Sequence, residues 1–186
     1  MFDIRKSLLY ILLFFSLCLI PACKKPVEEG KPIAPLQLSS PVISEGQPVP
    51  TKHTCDGEDL SPALLWSGTP QSTQSFALIM DDPDAPAGTF VHWVLYDIPA
   101  SRADLPGGVA NTDTVEGIGT QGKNSARKTG YMGPCPPKGP AHRYYFKLYA
   151  LDTLLNLKTG ASKAEVENAM QGHILAQGQL MGTYSR

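Results

Sequence analysis

Phe76-Ala77-Leu78-Ile79-Met80, running into Asp81-Asp82-Pro83-Asp84-Ala85-Pro86, is the stretch that decides the fold. Apolar residues over a strand's length, closed by turn formers, read as a buried strand that stops at a breaker. The prolines fix φ and remove backbone donors, so the acids beside them sit on a rigid turn at a strand end. Further along, Gly133-Pro134-Cys135-Pro136-Pro137 leads into His142-Arg143-Tyr144, a second stiff turn carrying polar groups. Two such turns can hold donors in a cleft without collapsing onto them, which is what a small anion requires.

Working outward, Phe90 to Ile98 is an aromatic and β-branched run closed by Pro99, and His142 to Leu151 is a third run, dense in tyrosine. Both read as strands, and Pro and Gly clusters separate them. One helix is signalled near the end: Ser162 and Glu165 form a capping box, and Val166, Ala169, Met170 and His173 follow at helical spacing. Gln179 to Tyr184 reads as a last short strand. The expected class is mainly β with minor helix.

Alternation along the strands sorts the polar residues. His142 and Tyr144 share a face with Phe146 and Leu148, leaving Arg143 on the other. By the same rule His92 lies with Phe90, Val94 and Tyr96, and Trp93 faces away. A histidine on an apolar strand face is more commonly a core residue than a ligand. Here each sits near a proline-rich turn, and one turn carries Asp82 and Asp84. An acid, imidazoles and a phenol in one pocket would hold a phosphate-like group through Tyr, His and backbone N–H. Asp82, His92 and His142 would also suit a metal ion, but none of them has the close spacing of a metal motif, so no metal or cofactor is assigned.

DPDAP followed by FVHWVLYDIP, and then GYMGPCPPKGPAHRYYFKLYALD, resemble the two signature regions of the phosphatidylethanolamine-binding protein family. TCDGEDLSPALLW and the ending GQLMGTYSR are similar to its bacterial, Raf-kinase-inhibitor-like branch. The likeness runs from about Leu38 to Arg186. It implies a central antiparallel sheet packed on a smaller one, short peripheral helices, and a small anion-binding cavity. The cavity residues it implies are Asp82, Asp84, His92, Gly133, Pro137, His142 and Tyr144, with Pro83 and Pro86 shaping the rim. Cys135 stands where eukaryotic members tend to have glycine, which narrows the cavity or ties it to Cys55, so phospholipid head-group binding does not carry over automatically.

The N-terminus sets the compartment. Arg5 and Lys6 precede an apolar run from Ser7 to Ile20, too short to span a bilayer and typical of a secretory signal. Leu19-Ile20-Pro21-Ala22-Cys23 resembles a bacterial lipobox, with proline at −2 as a departure; the alternative is ordinary cleavage near Ala22. The expected organisation is a lipoprotein signal peptide over 1–22, lipidated Cys23 and a flexible tether over 23–36, and a binding domain over 37–186. Lys24 after the lipidated cysteine favours the outer membrane of a bacterial envelope, facing the periplasm. Of four cysteines, Cys55 and Cys135 remain in the domain. They either form a disulfide or sit apart as small apolar residues.

Sixteen basic and seventeen acidic residues leave a net charge of −1, with no basic stripe for a nucleic-acid backbone. The reading is a lipid-anchored, non-enzymatic protein that binds a small anion, a phosphate or carboxylate head group. Its partners are that anion, the membrane through its lipid, a protein partner it modulates, or a second copy of itself. Inhibition of a protease or signalling protein through its surface is the alternative. A hydrolase using Cys135 or a bound metal is a further one, for which no nucleophile–base–orienter set is visible. An anchored envelope domain would not meet the cytosolic kinases that eukaryotic members inhibit.

Overall fold

Residues 33–186 are described by the computed structural model. The signal segment and Cys23 lie outside the described residues. The strands are β1 (Ala34–Pro35), β2 (Gln37–Ser39), β3 (Leu64–Ser67), β4 (Ser75–Asp82), β5 (Phe90–Pro99), β6 (Asp104–Leu105), β7 (Thr114–Val115), β8 (Gly119–Gln121), β9 (His142–Leu151) and β10 (Ile174–Tyr184). Among the described residues, one α-helix, α1 (Lys163–Met170), precedes β10, and a 3-10 turn spans Thr51–His53. The large sheet has the order β1-β10-β9-β4-β5-β8-β7, and β2-β3-β6 form a smaller one. The fold is mainly β, as the sequence implies.

The layers explain the patterns. Phe76, Leu78 and Met80 of β4 face Leu64, Trp66 and Leu105 of the small sheet. Ala77 and Ile79 face Val166 and Met170 of α1. Every residue of β4 is buried, so its Phe76–Met80 stretch is a continuous apolar run instead of an alternating one. β9 has the small sheet on one side only, and it alternates from buried His142 and exposed Arg143 onwards.

Four boundaries differ from the sequence reading: the last strand, expected to be short and to begin at Gln179, begins at Ile174 and runs 11 residues, and three others shift as follows. β4 continues through Asp81 and Asp82 to end at Pro83, because both acids find partners in the sheet. Ala34 and Pro35, expected in the tether, pair in parallel with Ala176 and Gln177 of β10. α1 stops at Met170, and Gly172 at φ 80° turns the chain out of the helix. His173, expected on the helical face, therefore sits on the surface with Nδ1 2.8 Å from Asp152 Oδ1. The capping box at Ser162 and Glu165 forms as its spacing implies.

Candidate functional site

β5 carries two irregularities that a strict alternation misses. Met80 pairs with Trp93 but Asp81 pairs with Val91, so His92 is an extra residue opposite the bond between them. Likewise Phe76 pairs with Ile98 and Leu78 with Leu95, leaving Tyr96 and Asp97 opposite Ala77, with Asp97 at φ 53°. A β-bulge of this kind re-aims the side chains around it. Val94 and Tyr96 consequently join the cluster under α1, while Trp93 and Leu95 join the cluster under the small sheet. His92 is on this second side too, its ring 5.2 Å from that of Tyr144 and 4.9 Å from that of Phe90. The expected company of His92 with Val94 and Tyr96, and its opposition to Trp93, are corrected by the bulge.

The rim at this end of the sheet encloses a cavity of about 230 Å³, mostly apolar, whose wall includes Asp82, His92, Pro137, His142 and Tyr144. Four of the residues expected in one pocket are thus together, and Pro137 with them. A larger, shallower depression of about 330 Å³ lies on the outer face of β9 and β10, lined by Lys147, Tyr149 and Gln177 to Gln179. Lys147 is committed there to the buried Asp81, which also takes Lys163. The smaller cavity, with its converging polar groups, is the candidate site.

Asp82 and the two histidines of the cavity are held from behind. His142 Nδ1 lies 2.8 Å from Asp82 Oδ2, and Asp82 Oδ1 accepts from Asp84 N–H at 2.8 Å. Both carboxylate oxygens are thereby occupied, and Nε2 is the free nitrogen of His142. His92 Nδ1 donates to the Met132 carbonyl at 2.7 Å, since a carbonyl can only accept, which leaves Nε2 bare. Burial pushes the His92 imidazole down, opposed by the Met132 carbonyl and the charge of Asp82. The Tyr144 hydroxyl is buried near Asp82 but in hydrogen-bond geometry with no group among the described residues. Burial, reinforced by Asp82, pushes Tyr144 up, so it stays an O–H donor.

Asp84 and Gly133 are not in the wall. Asp84 turns out to solvent and takes Arg143 through Nε at 2.9 Å and Nη2 at 2.7 Å, which holds its carboxyl down at about 2. Its role is to fasten the first turn to β9. Gly133 is a packing position: its N–H donates to Asp59 Oδ1 at 2.6 Å, and a Cβ there would lie 2.5 Å from the His53 carbonyl. The same loop supplies Cys55, whose disulfide with Cys135 spans a Cα separation of 5.4 Å. Of the two readings of these cysteines, the bridge is the observed one, and Cys135 lines the cavity.

Sequence reasoning missed the supports. The Met132 carbonyl orients His92, Asp59 fixes the peptide next to it, and Ser125 Oγ and N–H bond both backbone groups of Val91 beside the bulge. Backbone acceptors carry no side-chain signal. The HTCDGEDL segment holds His53, Cys55 and Asp59 in one loop, and that clustering was the available hint.

The comparisons agree with this architecture. Residues 39–185 match the family model described as phosphatidylethanolamine-binding protein. A UPF0098 protein of Methanothermobacter thermautotrophicus is 44% identical over 151 residues, covering 81% of this chain and 99% of that protein. A UPF0098 protein of Aquifex aeolicus is 47% identical over 153 residues, covering 81% and 89%. Among solved structures, a phosphatidylethanolamine-binding protein homologue from Chlamydia trachomatis has a TM-score of 0.75 at 39% identity, covering 82% of this chain and 98% of that one. YbcL of E. coli, described as a new member of the mammalian family, has a TM-score of 0.75 at 34% identity, covering 82% and 99%. Relatives in archaea as well as bacteria correct the expectation of a purely bacterial branch. The match over nearly the whole described chain, on the same two-sheet fold, shows that this protein belongs to the phosphatidylethanolamine-binding protein family, a family of binding proteins.

Proposed function

We propose that this protein binds a small anion, a phosphate or carboxylate head group, in the cavity at the His142 end of its sheet, without turning it over. The observation that carries the reading is the buried, unpartnered Tyr144 hydroxyl beside a histidine that Asp82 holds in place. A buried donor without a partner costs about 1–3 kcal/mol, and an anion's oxygen would satisfy it. Asp82 takes His142 Nδ1, which leaves Nε2 of that ring to meet the same anion. Cys135, the thiol of the hydrolase alternative, is bonded to Cys55 and offers no nucleophile in this state. With Cys23 lipidated, the domain would present this cavity from an envelope membrane by its tether.

Isothermal titration of the folded protein with phosphate, phosphoethanolamine and acetate tests the reading. Heat from at least one of them, lost in His142→Ala, is expected. Silence toward all three with the fold intact overturns it.

A further inference from the structure

The order and direction of the strands fix where the chain leaves the domain relative to its cavity. β1 runs parallel to β10, with Ala34 beside Ala176 and Pro35 beside Gln177. Traced backwards from Ala34, the chain therefore heads towards Ile174, the start of β10. The cavity belongs to the other end, where Tyr184 of β10 pairs with His142 and Asp82 closes β4. Tyr184 lies eight positions beyond Ala176, which at about 3.3 Å per residue sets the two points about 26 Å apart. The exit is pinned. Leu36 N–H donates to the Gln177 carbonyl at 2.8 Å, and the Gly46 and Val49 N–H groups donate to Met181 and Thr183 farther along the same edge.

The exit end gathers the start of β4, the ends of β5 and β9, and the start of β10. Leu154 stands there beside Thr153, whose carbonyl accepts from Ser75 Oγ. Ile33 and Leu154, 46% and 47% exposed, are two of the five large apolar side chains exposed among the described residues. Both offer a bilayer interface an apolar contact. Cys23 stands ten positions before Ile33 in the sequence. Ten residues span at most about 36 Å, and a random chain of that length averages about half as much. An anchor at Cys23 thus keeps the exit end near the bilayer. Bringing the cavity mouth onto the same surface would invert the domain and lift the exit by about 26 Å. That takes up most of the tether's full extension, at a cost in chain entropy, and withdraws Ile33 and Leu154 from the interface.

We infer that the anchored protein stands on the Ile33 and Leu154 end of its large sheet, resting on the membrane that holds Cys23, with the cavity opening away from it. The cavity then takes its anion from the aqueous side and not from the head groups of its own bilayer. This rests on the anchored, anion-binding reading above and adds a direction to it.

The test uses the full chain with its lipid, reconstituted in phosphatidylcholine vesicles whose head groups carry a nitroxide quencher. A fluorophore is placed at Ser72→Cys, in the turn leading into β4 at the exit end, or at Lys138→Cys, just beyond Pro137 of the cavity wall. Both positions are exposed, and Cys55 and Cys135 are bonded to each other and do not take the label. The expected result is loss of the Ser72 signal with the Lys138 signal retained. Quenching at Lys138 equal to or above that at Ser72 overturns the orientation and leaves the anchor standing. A chain that carries no lipid by mass and does not float with the vesicles removes the anchor, and the inference with it. A second arm titrates the vesicle-bound protein with phosphate, in phosphatidylcholine alone and with phosphatidylethanolamine added. The same affinity in both is expected. A weaker one with phosphatidylethanolamine would show the cavity reaching its own bilayer and contradict the inference. No phosphate binding in either would remove the anion reading and overturn the ligand half of the inference, and the quenching alone then decides the direction.

Discussion

His142 Nδ1 and Asp82 Oδ2, on neighbouring strands and sixty positions apart, meet at 2.8 Å with the carboxylate almost fully buried. Deleting either partner leaves the other stranded. His142→Ala should therefore destabilise the domain by about 3 kcal/mol, the usual cost of breaking a buried pair. His142→Asn keeps an N–H for Asp82 and removes Nε2, so it should cost less stability while losing anion binding equally. Urea unfolding and phosphate titration of both variants check this. Equal stability losses, or binding retained in the asparagine variant, would contradict the assignment.

His92 gives a pH dependence of definite sign. Its folded value lies below the ordinary histidine value, because burial disfavours the charged ring. Above the unfolded value, about 6.5, both states are neutral and the residue contributes nothing to the slope. As pH falls through that value the unfolded chain takes up a proton that the folded one refuses, so stability drops until the folded ring titrates. Thermal melts from pH 7.5 to 5.5 should show this loss, and His92→Gln should flatten it. Asp84 acts much lower: held down at about 2 by Arg143, its contribution is present above about 3.8 and fades as pH falls towards 2.

The bridge between Cys55 and Cys135 closes a loop of 80 positions in sequence, for which chain entropy gives about 4.5 kcal/mol of stability. Both cysteines are exposed, so a dithiol should reach the bridge in the folded protein. Reduction, or Cys55→Ser with Cys135→Ser, should lower the urea midpoint accordingly. Because Cys135 lines the cavity, phosphate affinity should fall as well. Unchanged affinity after complete reduction would show that the loop keeps its place without the bond.

Gly133→Ala probes the support behind His92. The added Cβ would lie 2.5 Å from the His53 carbonyl and 2.8 Å from Thr54 Cα, both backbone atoms that cannot swing aside. The expected result is a loss of about 2 kcal/mol together with weaker anion binding, since the displaced peptide adjoins the Met132 carbonyl. A variant with wild-type unfolding and titration curves would contradict this.

The strands were legible because burial writes itself into composition. β4 is apolar from Phe76 to Met80, since the small sheet and α1 cover its two faces, and β9 alternates, since only its inner face is covered. The shared face of His142 and Tyr144 followed from that alternation, and the family resemblance joined Asp82 and His92 to them. Alternation failed within β5, because an inserted residue at a bulge leaves no mark in a run of apolar and aromatic side chains. Asp84 and Gly133 were expected in the wall because they sit within the motifs. One is drawn out by Arg143 and the other is small for the sake of the backbone behind it. Asp59 and Met132 act through contacts distant in sequence, which no local pattern predicts.

The central claim is that one small anion is held among His92, His142 and Tyr144, and a crystal structure grown in saturating phosphate tests it most directly. The account predicts a tetrahedral ion in the cavity with oxygens within about 3 Å of His92 Nε2, His142 Nε2 and the Tyr144 hydroxyl. A cavity without the ion at that concentration, or an ion bound only on the outer face near Lys147, would contradict it.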